Sequence, residues 1–208
     1  MFETIRWKIE DDIGHLVMDQ PPANAMTRIF FDELREVVKD LIPVSHVKAL
    51  LIYGNGRHFS GGADHRDLVR QITEYSAGKD PGEVPYFLRE NAGSFKEITG
   101  LKIPTIAAIR GTCLGSALEL ALACRFRICG EGTVFGLPET TFGLMPGCGG
   151  TVRLAAITGK AKAMELILTG RNFSAEEALS WGIVHQVVPR KLVVEVAVEL
   201  ARGFADGR

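Results

Sequence analysis

The fold is decided by the stretch Pro104-Thr105-Ile106-Ala107-Ala108-Ile109-Arg110-Gly111-Thr112-Cys113-Leu114-Gly115-Ser116-Ala117-Leu118-Glu119. An apolar run follows Pro104 and ends at Ile109, which is typical of a strand buried on both faces. Gly111 and Gly115 then mark a turn, and the apolar run that follows reads as a helix. A strand, a glycine turn and a helix in this order indicate an α/β sheet with free main-chain N–H groups at the start of the helix.

Two further segments upstream have the character of strands. Residues 47–53 (VKALLIY) are apolar and end at glycines, and residues 13–19 (IGHLVMD) end at a proline turn. Between them, Thr27 is expected to N-cap a helix that ends near Pro43. Near-continuous apolar strands separated by helices predict a mostly parallel sheet that is covered on both faces.

The second half of the chain changes towards helices. Residues 75–85 (YSAGKDPGEVP) are expected to be a loop, and the helix that should follow it is expected to line a pocket together with that loop. From Lys160 onward the pattern is helical, and it includes a capping box with Ser174 as the N-cap and Glu177 at the third position. We therefore expect an α/β core over residues 1–158, which carries the site, and a helical segment over residues 159–208.

Composition and charge exclude several classes of protein. The chain has 208 residues, of which 46% are hydrophobic, so it is neither disordered nor collagen-like. Its 24 Lys+Arg balance 25 Asp+Glu, which argues against a nucleic-acid partner or an anionic membrane surface. No stretch reaches the ~18 apolar residues of a spanning helix. Because the N-terminus lacks a secretory pattern and the four cysteines form no C-x-x-C pair, we expect a cytoplasmic protein with reduced thiols.

The glycines are concentrated where a site could be built from the backbone. One glycine turn, residues 59–64 (FSGGAD), follows the strand that ends at Tyr53, and the other is the turn at Gly111 to Gly115. Free N–H groups at such turns suit an anion or a developing oxyanion. An ordinary strand-to-helix connection is the alternative interpretation for each turn.

Two glutamates lie in apolar surroundings. Glu119 is in the run LELALA, and Glu139 follows FGLP. Glutamate is rarely buried without a partner, so Glu119 needs an ion pair, for which Arg125 and Arg127 are the candidates, or a chemical role. Because burial raises carboxyl pKa values, the two residues could form a general acid/base pair.

Other kinds of catalytic site are not supported. Ser116 lacks the glycine spacing of a hydrolase nucleophile, and Cys148 has no dedicated histidine partner. The glycine-rich segment 147–151 lacks the lysine of a phosphate-binding loop. No H-E-x-x-H spacing occurs among the histidines, so no metal site is expected.

Six segments, in this order, resemble motifs of the enoyl-CoA hydratase/isomerase (crotonase) family. They are Asn24-Ala25-Met26, Phe59 to Asp64, Lys102 to Gly111, Phe135 to Glu139, Gly143 to Thr151 and Leu168-Thr169-Gly170. Together they extend over nearly the whole chain. The resemblance implies an α/β fold built as a spiral of ββα units, with a helical C-terminal part.

The same resemblance implies roles for particular residues. The main-chain N–H groups of Ala63 and Ser116 would form the oxyanion hole for a thioester enolate, and Glu119 and Glu139 would hold a water between them. The Gly147 N–H would help to position that water. The residues that match the family's substrate- and CoA-binding segments are Asn24, Ala25, Met26, Ser60, Gly61, Gly62, Asp64 and Gly115.

The implied activity is hydration of a 2-enoyl-CoA to a 3-hydroxyacyl-CoA, or the reverse dehydration. Two glutamates favour hydration, because isomerases of the family typically retain one. The alternatives are another reaction of the family (isomerisation or decarboxylation) and a catalytically inactive CoA-binding protein. The thioester is the electron sink, so no metal or redox cofactor is implied. The acyl group would be carried by CoA or by the pantetheine arm of a carrier protein, and the family forms homotrimers or hexamers.

Three positions depart from the family pattern. Ser116 stands where hydratases usually have glycine, which keeps the N–H but adds a β-carbon. Arg125 replaces a common acidic residue and is expected to place a positive charge near Glu119 that lowers its pKa. The chain ends at Arg208, before the family's usual C-terminal helices, so the helical part is expected to be shortened.

Overall fold

The computed structural model describes residues 2–76 and 86–206. Its main sheet contains six strands in the order β1-β2-β3-β4-β6-β9. Only the edge pair β1-β2 is antiparallel, and the other neighbours are parallel. The strands of this sheet are Ile5–Glu10 (β1), Ile13–Met18 (β2), Ala49–Gly54 (β3), Thr105–Ile109 (β4), Phe126–Gly130 (β6) and Gln186–Val188 (β9). The predicted mostly parallel sheet is therefore confirmed.

A smaller sheet and the helices complete the architecture. The smaller sheet has the order β5-β7-β8, with strands Thr112–Leu114 (β5), Val134–Gly136 (β7) and Phe173–Ser174 (β8). The α-helices are Arg28–Glu36 (α1), Ile42–Val44 (α2), His65–Ser76 (α3), Tyr86–Gly100 (α4), Ser116–Ala123 (α5), Gly150–Thr158 (α6), Lys160–Thr169 (α7), Ala175–Ser180 (α8) and Val193–Ala205 (α9). A π-helical turn over Val37–Leu41 joins α1 to α2, and 3-10 turns occupy Pro138–Phe142 and Arg190–Leu192.

Alternation along the strands gives the main sheet two buried faces. Leu50 and Ile52 of β3 belong to a core that includes residues of α1, α4 and α5. Their neighbours Ala49 and Leu51 belong to a second core, on which α9 packs. Because successive side chains of a strand point to opposite faces, a continuous apolar run is what such a strand requires.

Local signals in the sequence are confirmed at several helix ends. The Thr27 side chain accepts a hydrogen bond from Phe30 N at the start of α1, and the helical turns end at Val44, one residue beyond Pro43. The capping box of Ser174 and Glu177 is also present. These signals involve neighbours in sequence, which is why they can be read without knowledge of the tertiary fold.

The prediction of helices alone beyond Lys160 is wrong at two places. Strands β8 and β9 interrupt that segment, and β9 hydrogen bonds to β6 in the main sheet. Strands of two or three residues are too short to show a periodicity of two, so their partners alone define them. Tyr75 and Ser76, predicted as part of a loop, belong to α3, and the remainder of that loop lies outside the described residues.

Across residues 2–76 and 86–206, none of the helices combines the length and the apolar character that crossing a bilayer requires.

Candidate active site

A cavity of about 350 Å³ lies beyond the carboxyl ends of the parallel strands β3 and β4. The residues after β3 and the turn between β5 and α5 form one of its walls. Most of the predicted site residues line this cavity: Met26, Gly61, Gly62, Ala63, Asp64, Gly115, Ser116, Glu119, Glu139 and Gly147. Sequence positions that lie up to 121 residues apart therefore meet in one place.

The two expected oxyanion donors lie on adjoining segments of backbone. Gly62 has a φ of +90°, and a β-carbon on it would lie 2.4 Å from Leu114 O and 3.5 Å from Ser116 N. Glycine is required here by the close approach and by the positive φ. Ser116 is the first residue of α5, so its N–H has no acceptor within the helix. The arrangement suits stabilisation of an oxyanion by Ala63 N–H and Ser116 N–H.

Asn24 and Ser60 lie behind the cavity wall. The Asn24 Nδ2 group donates to Asn55 O and His58 O, both at 2.9 Å. Ser60 Oγ donates to Asn24 O at 2.7 Å and accepts from Gly62 N at 3.0 Å. Both side chains are buried, so they fix the segment that leads to Ala63. Ala25, Asn24 and Ser60 are absent from the lining of the cavity, and their roles in ligand binding stay predictions.

Glu119 is buried and held by the turn that precedes α6. Its Oε1 accepts hydrogen bonds from Cys148 N at 2.8 Å and from Gly150 N at 2.7 Å. Burial raises the pKa of Glu119, while these two hydrogen bonds and the charge of Arg153 lower it by less than burial raises it. Glu119 is therefore fixed in position, with one carboxylate oxygen engaged by the backbone.

The two arginines predicted to be its ion-pair partners do not contact Glu119. Arg125 donates from Nη2 to Leu101 O, and the buried Arg127 donates from Nε to Ile183 O. Both residues follow α5, whereas Glu119 is in its first turn, and a helix rises about 1.5 Å per residue. The expectation that Arg125 lowers the pKa of Glu119 is wrong, because the nearby positive charge belongs to Arg153.

Glu139, which lines the same cavity, has a different environment. It lies in the 3-10 turn Pro138–Phe142, and its Oε2 is buried with no hydrogen-bond partner among the described residues. Burial, with a contribution from the charge of Glu119, raises the pKa of Glu139 to about 7. Its Oε1 lies 3.1 Å from the place of a β-carbon on Gly115. The two glutamates therefore share one cavity, but two backbone N–H groups from the turn before α6 hold Glu119, whereas Oε2 of Glu139 has no partner among the described residues.

This environment makes a prediction about stability. The pKa of Glu139 is about 7 in the folded protein, against 4.5 in the unfolded chain. Between these pH values the folded protein binds more protons than the unfolded chain, so the free energy of unfolding decreases as the pH rises from 4.5 to 7. We expect Glu139→Gln to stabilise the protein by roughly 1–2 kcal/mol at pH 8, after allowing for solvent screening of a partly exposed group, and by much less at pH 4.5. Urea unfolding at both pH values checks this, and equal stabilities at pH 8 would contradict it.

The sequence predicts only part of the apolar wall of the cavity. The prediction that the helix after residue 85 lines the pocket is confirmed by Leu88 and Asn91 of α4. Leu68 and Gln71 of α3 also line it, as does Phe142. Their apolar spacing shows only that a helix has a buried face, and it cannot distinguish a core from a cavity.

Two main-chain N–H groups, the buried Glu119, the half-buried Glu139 and apolar side chains meet in one cavity of an α/β fold, an arrangement that suits an enzyme that stabilises a developing negative charge. Comparison with known proteins agrees with this class. The family model described as enoyl-CoA hydratase/isomerase matches residues 8–208. The chain therefore belongs to the enoyl-CoA hydratase/isomerase family.

Individual relatives are consistent with this assignment. The chain is 38% identical over 198 residues to the fatty acid oxidation complex subunit alpha of Shewanella frigidimarina, a match that covers 93% of this chain and 27% of that protein. The chain thus spans about a quarter of the length of the curated relatives it matches.

Solved structures of the family have the same fold. An enoyl-CoA hydratase from Bacillus anthracis is 32% identical with a TM-score of 0.86, covering 98% of this chain and 77% of that one. A putative enoyl-CoA hydratase from Streptomyces coelicolor A3(2) is 28% identical with a TM-score of 0.90, covering 100% of this chain and 74% of that one. The expected crotonase fold is confirmed.

Proposed function

We propose that this protein hydrates 2-enoyl thioesters of CoA to 3-hydroxyacyl thioesters and catalyses the reverse dehydration. The observation that carries the proposal is the pair Glu119 and Glu139, which lie in one cavity in different environments, beside two main-chain N–H donors. When their environments give two carboxyl groups different pKa values, one group can act as a base while the other acts as an acid.

The N–H groups of Ala63 and Ser116 would bind the thioester carbonyl oxygen. As water adds, the electrons of the C2=C3 bond move towards this oxygen, and the two donors stabilise the negative charge that develops there. Removal of one such donor typically costs about 3 kcal/mol of transition-state stabilisation. Glu119 lies in the first turn of α5, which begins at Ser116, and Glu139 Oε1 lies 3.1 Å from the place of a β-carbon on Gly115, so the reacting carbons would lie close to both the donors and the glutamates.

The two glutamates would divide the proton transfers. Glu119 accepts a proton from the water as the oxygen of that water bonds to Cβ, and the protonated Glu139 donates its proton to Cα. Glu139 suits the role of acid because its pKa is raised to about 7 and its Oε2 has no other partner among the described residues. One water is consumed, and proton exchange with solvent restores both carboxyl groups.

The remaining expectations follow from the same chemistry. We propose that the reaction needs no metal or redox cofactor, because the thioester itself accepts the electrons. CoA, or the pantetheine arm of a carrier protein, would carry the acyl group, and a homotrimer or hexamer is the proposed assembly.

The test is the decay of the conjugated enoyl-thioester absorbance after addition of the protein to crotonyl-CoA. Rapid decay to 3-hydroxybutyryl-CoA, lost in Glu119→Gln and in Glu139→Gln, is the expected result. Turnover that both substitutions leave unchanged would overturn the proposal. Conversion of a 3-enoyl-CoA without hydration would indicate an isomerase, and binding of crotonyl-CoA without any turnover would indicate an inactive CoA-binding protein.

A further inference from the structure

A half-buried arginine lies behind the turn that holds Glu119. Arg153 is in α6, and its Nη1 donates to Cys148 O at 2.6 Å. A β-carbon on Gly149 would lie 2.4 Å from this Nη1, so the guanidinium packs directly against the backbone of the turn. Arg153 takes part in none of the ion pairs found within residues 2–76 and 86–206. Among the described residues, no carboxylate is therefore paired with this partly buried positive charge, and the proposed reaction steps do not use it.

The turn is held from two sides. On the side of the cavity, Glu119 Oε1 accepts from Cys148 N and Gly150 N. On the other side, Arg153 binds the carbonyl oxygen of the same Cys148. A β-carbon on Gly150 would lie 2.9 Å from Glu119 Oε1, which shows how closely the carboxylate approaches this backbone. Movement of the turn would therefore move both donors that fix Glu119.

The charge of Arg153 also acts on Glu119, whose pKa it lowers against the effect of burial. Other titratable groups also surround Glu119. Glu139 and Cys148 lie beside it, and Arg28, Asp64 and His65 line the same cavity, where Arg28 pairs with Asp32 of its own helix. On α4, which packs against α5, the charged side chains either bind elsewhere or are exposed: Glu90 pairs with Arg35, Glu97 pairs with Lys39, and Arg89 and Lys96 are exposed.

We propose that Arg153 is a positioning residue for the reaction, which fixes the turn that holds Glu119 and places a positive charge behind its carboxylate. The inference rests on the proposed function, in which Glu119 must be ionised to accept a proton from water. A buried carboxylate beside a second carboxylate would otherwise favour its neutral form, in which it cannot act as a base. Arg153 thus keeps Glu119 ionised, and able to act as a base, down to a lower pH.

The test compares Arg153→Met, which keeps an unbranched, flexible side chain without the charge, with Arg153→Lys, which keeps the charge. The pH dependence of kcat/KM for crotonyl-CoA is the measurement. In Arg153→Met, the ratio of kcat/KM at pH 6 to that at pH 8 is expected to fall about three- to tenfold below the wild-type ratio, because Glu119 becomes protonated at higher pH. Arg153→Lys is expected to keep most of the wild-type ratio.

Arg125→Met is the matched control. Arg125 likewise donates from its guanidinium to a main-chain carbonyl, Leu101 O, but it lies away from Glu119 and should leave the pH profile unchanged. If Arg153→Met lowers activity by the same factor at every pH, or if Arg125→Met shifts the profile equally, the inference is overturned.

A second measurement separates failure of this inference from failure of the proposed function. The carboxyl group of Glu119 can be titrated by ¹³C NMR in wild type and in Arg153→Met, with its signal assigned through Glu119→Gln. A higher titration midpoint in Arg153→Met supports the inference even if crotonyl-CoA is not turned over. An unchanged midpoint overturns it even if the wild-type enzyme is an active hydratase.

Discussion

Glu139→Gln is expected to lower kcat for crotonyl-CoA hydration by about 10²–10⁴-fold, the usual contribution of a general acid. Glutamine has nearly the same shape as glutamate but has no acidic proton to donate to Cα. Binding of the thioester should change little, because the two main-chain donors are unaffected. Decay of enoyl absorbance at saturating substrate gives kcat, and KM reports on binding.

The wild-type pH profile provides an independent check on this assignment. With a pKa of about 7, Glu139 loses its proton as the pH rises through that value, so kcat/KM for hydration should fall above it. The kcat/KM of the reverse dehydration should fall in parallel, because hydration releases no net proton and its equilibrium constant does not depend on pH. Glu131→Gln, at an exposed carboxylate outside the cavity, is the matched control and should behave as wild type. A Glu139→Gln variant with wild-type kcat would remove Glu139 from the chemistry.

Ser116→Pro is expected to lower kcat by at least 10²–10³-fold, because proline has no N–H to donate to the oxyanion. Ser116 is the first residue of α5, a position where proline is well tolerated in helices, so the fold should be retained. Activity is measured as enoyl absorbance decay, and thermal unfolding followed by circular dichroism reports on the helix.

Ser116→Ala is the control that separates the main chain from the side chain. It keeps the N–H and removes only the hydroxyl, so its kcat should stay within a fewfold of wild type. If alanine is as damaging as proline, the serine hydroxyl is required and the role given to the main-chain donor is wrong. This pair also tests whether the departure from glycine at position 116 affects the reaction.

Features that depend on neighbours in sequence could be predicted, and those that depend on tertiary contacts could not. The strands β2, β3 and β4 follow from apolar runs bounded by turns, and the cap at Ser174 follows from a four-residue pattern. By contrast, periodicity left the relation between Glu119 and Glu139 unknown, because it gives the face of a helix but no distance between elements.

The positive charge near Glu119 illustrates the same limit. Proximity in sequence suggests Arg125 and Arg127 as its source, yet both residues lie beyond the opposite end of α5. Arg153 is 34 residues away from Glu119 along the chain, and only the folding of α6 against α5 brings them together. The resemblance to the family implies roles for the two glutamates and for the Ala63 and Ser116 N–H groups, but it implies none for Arg153.

The two walls of the cavity differ in how firmly the fold specifies them. The donors Ala63 and Ser116 lie just beyond a parallel main-chain bridge between Ser60 and Cys113, in which Ser60 N donates to Thr112 O and Leu114 N donates to Ser60 O, so backbone hydrogen bonds fix their separation. Leu68 and Leu88, which also line the cavity, belong to helices α3 and α4 rather than to these bridged segments. If the protein has the proposed function, substitutions at these two leucines would change which acyl groups fit while the backbone donors stay in place, so selectivity and chemistry could change separately in evolution.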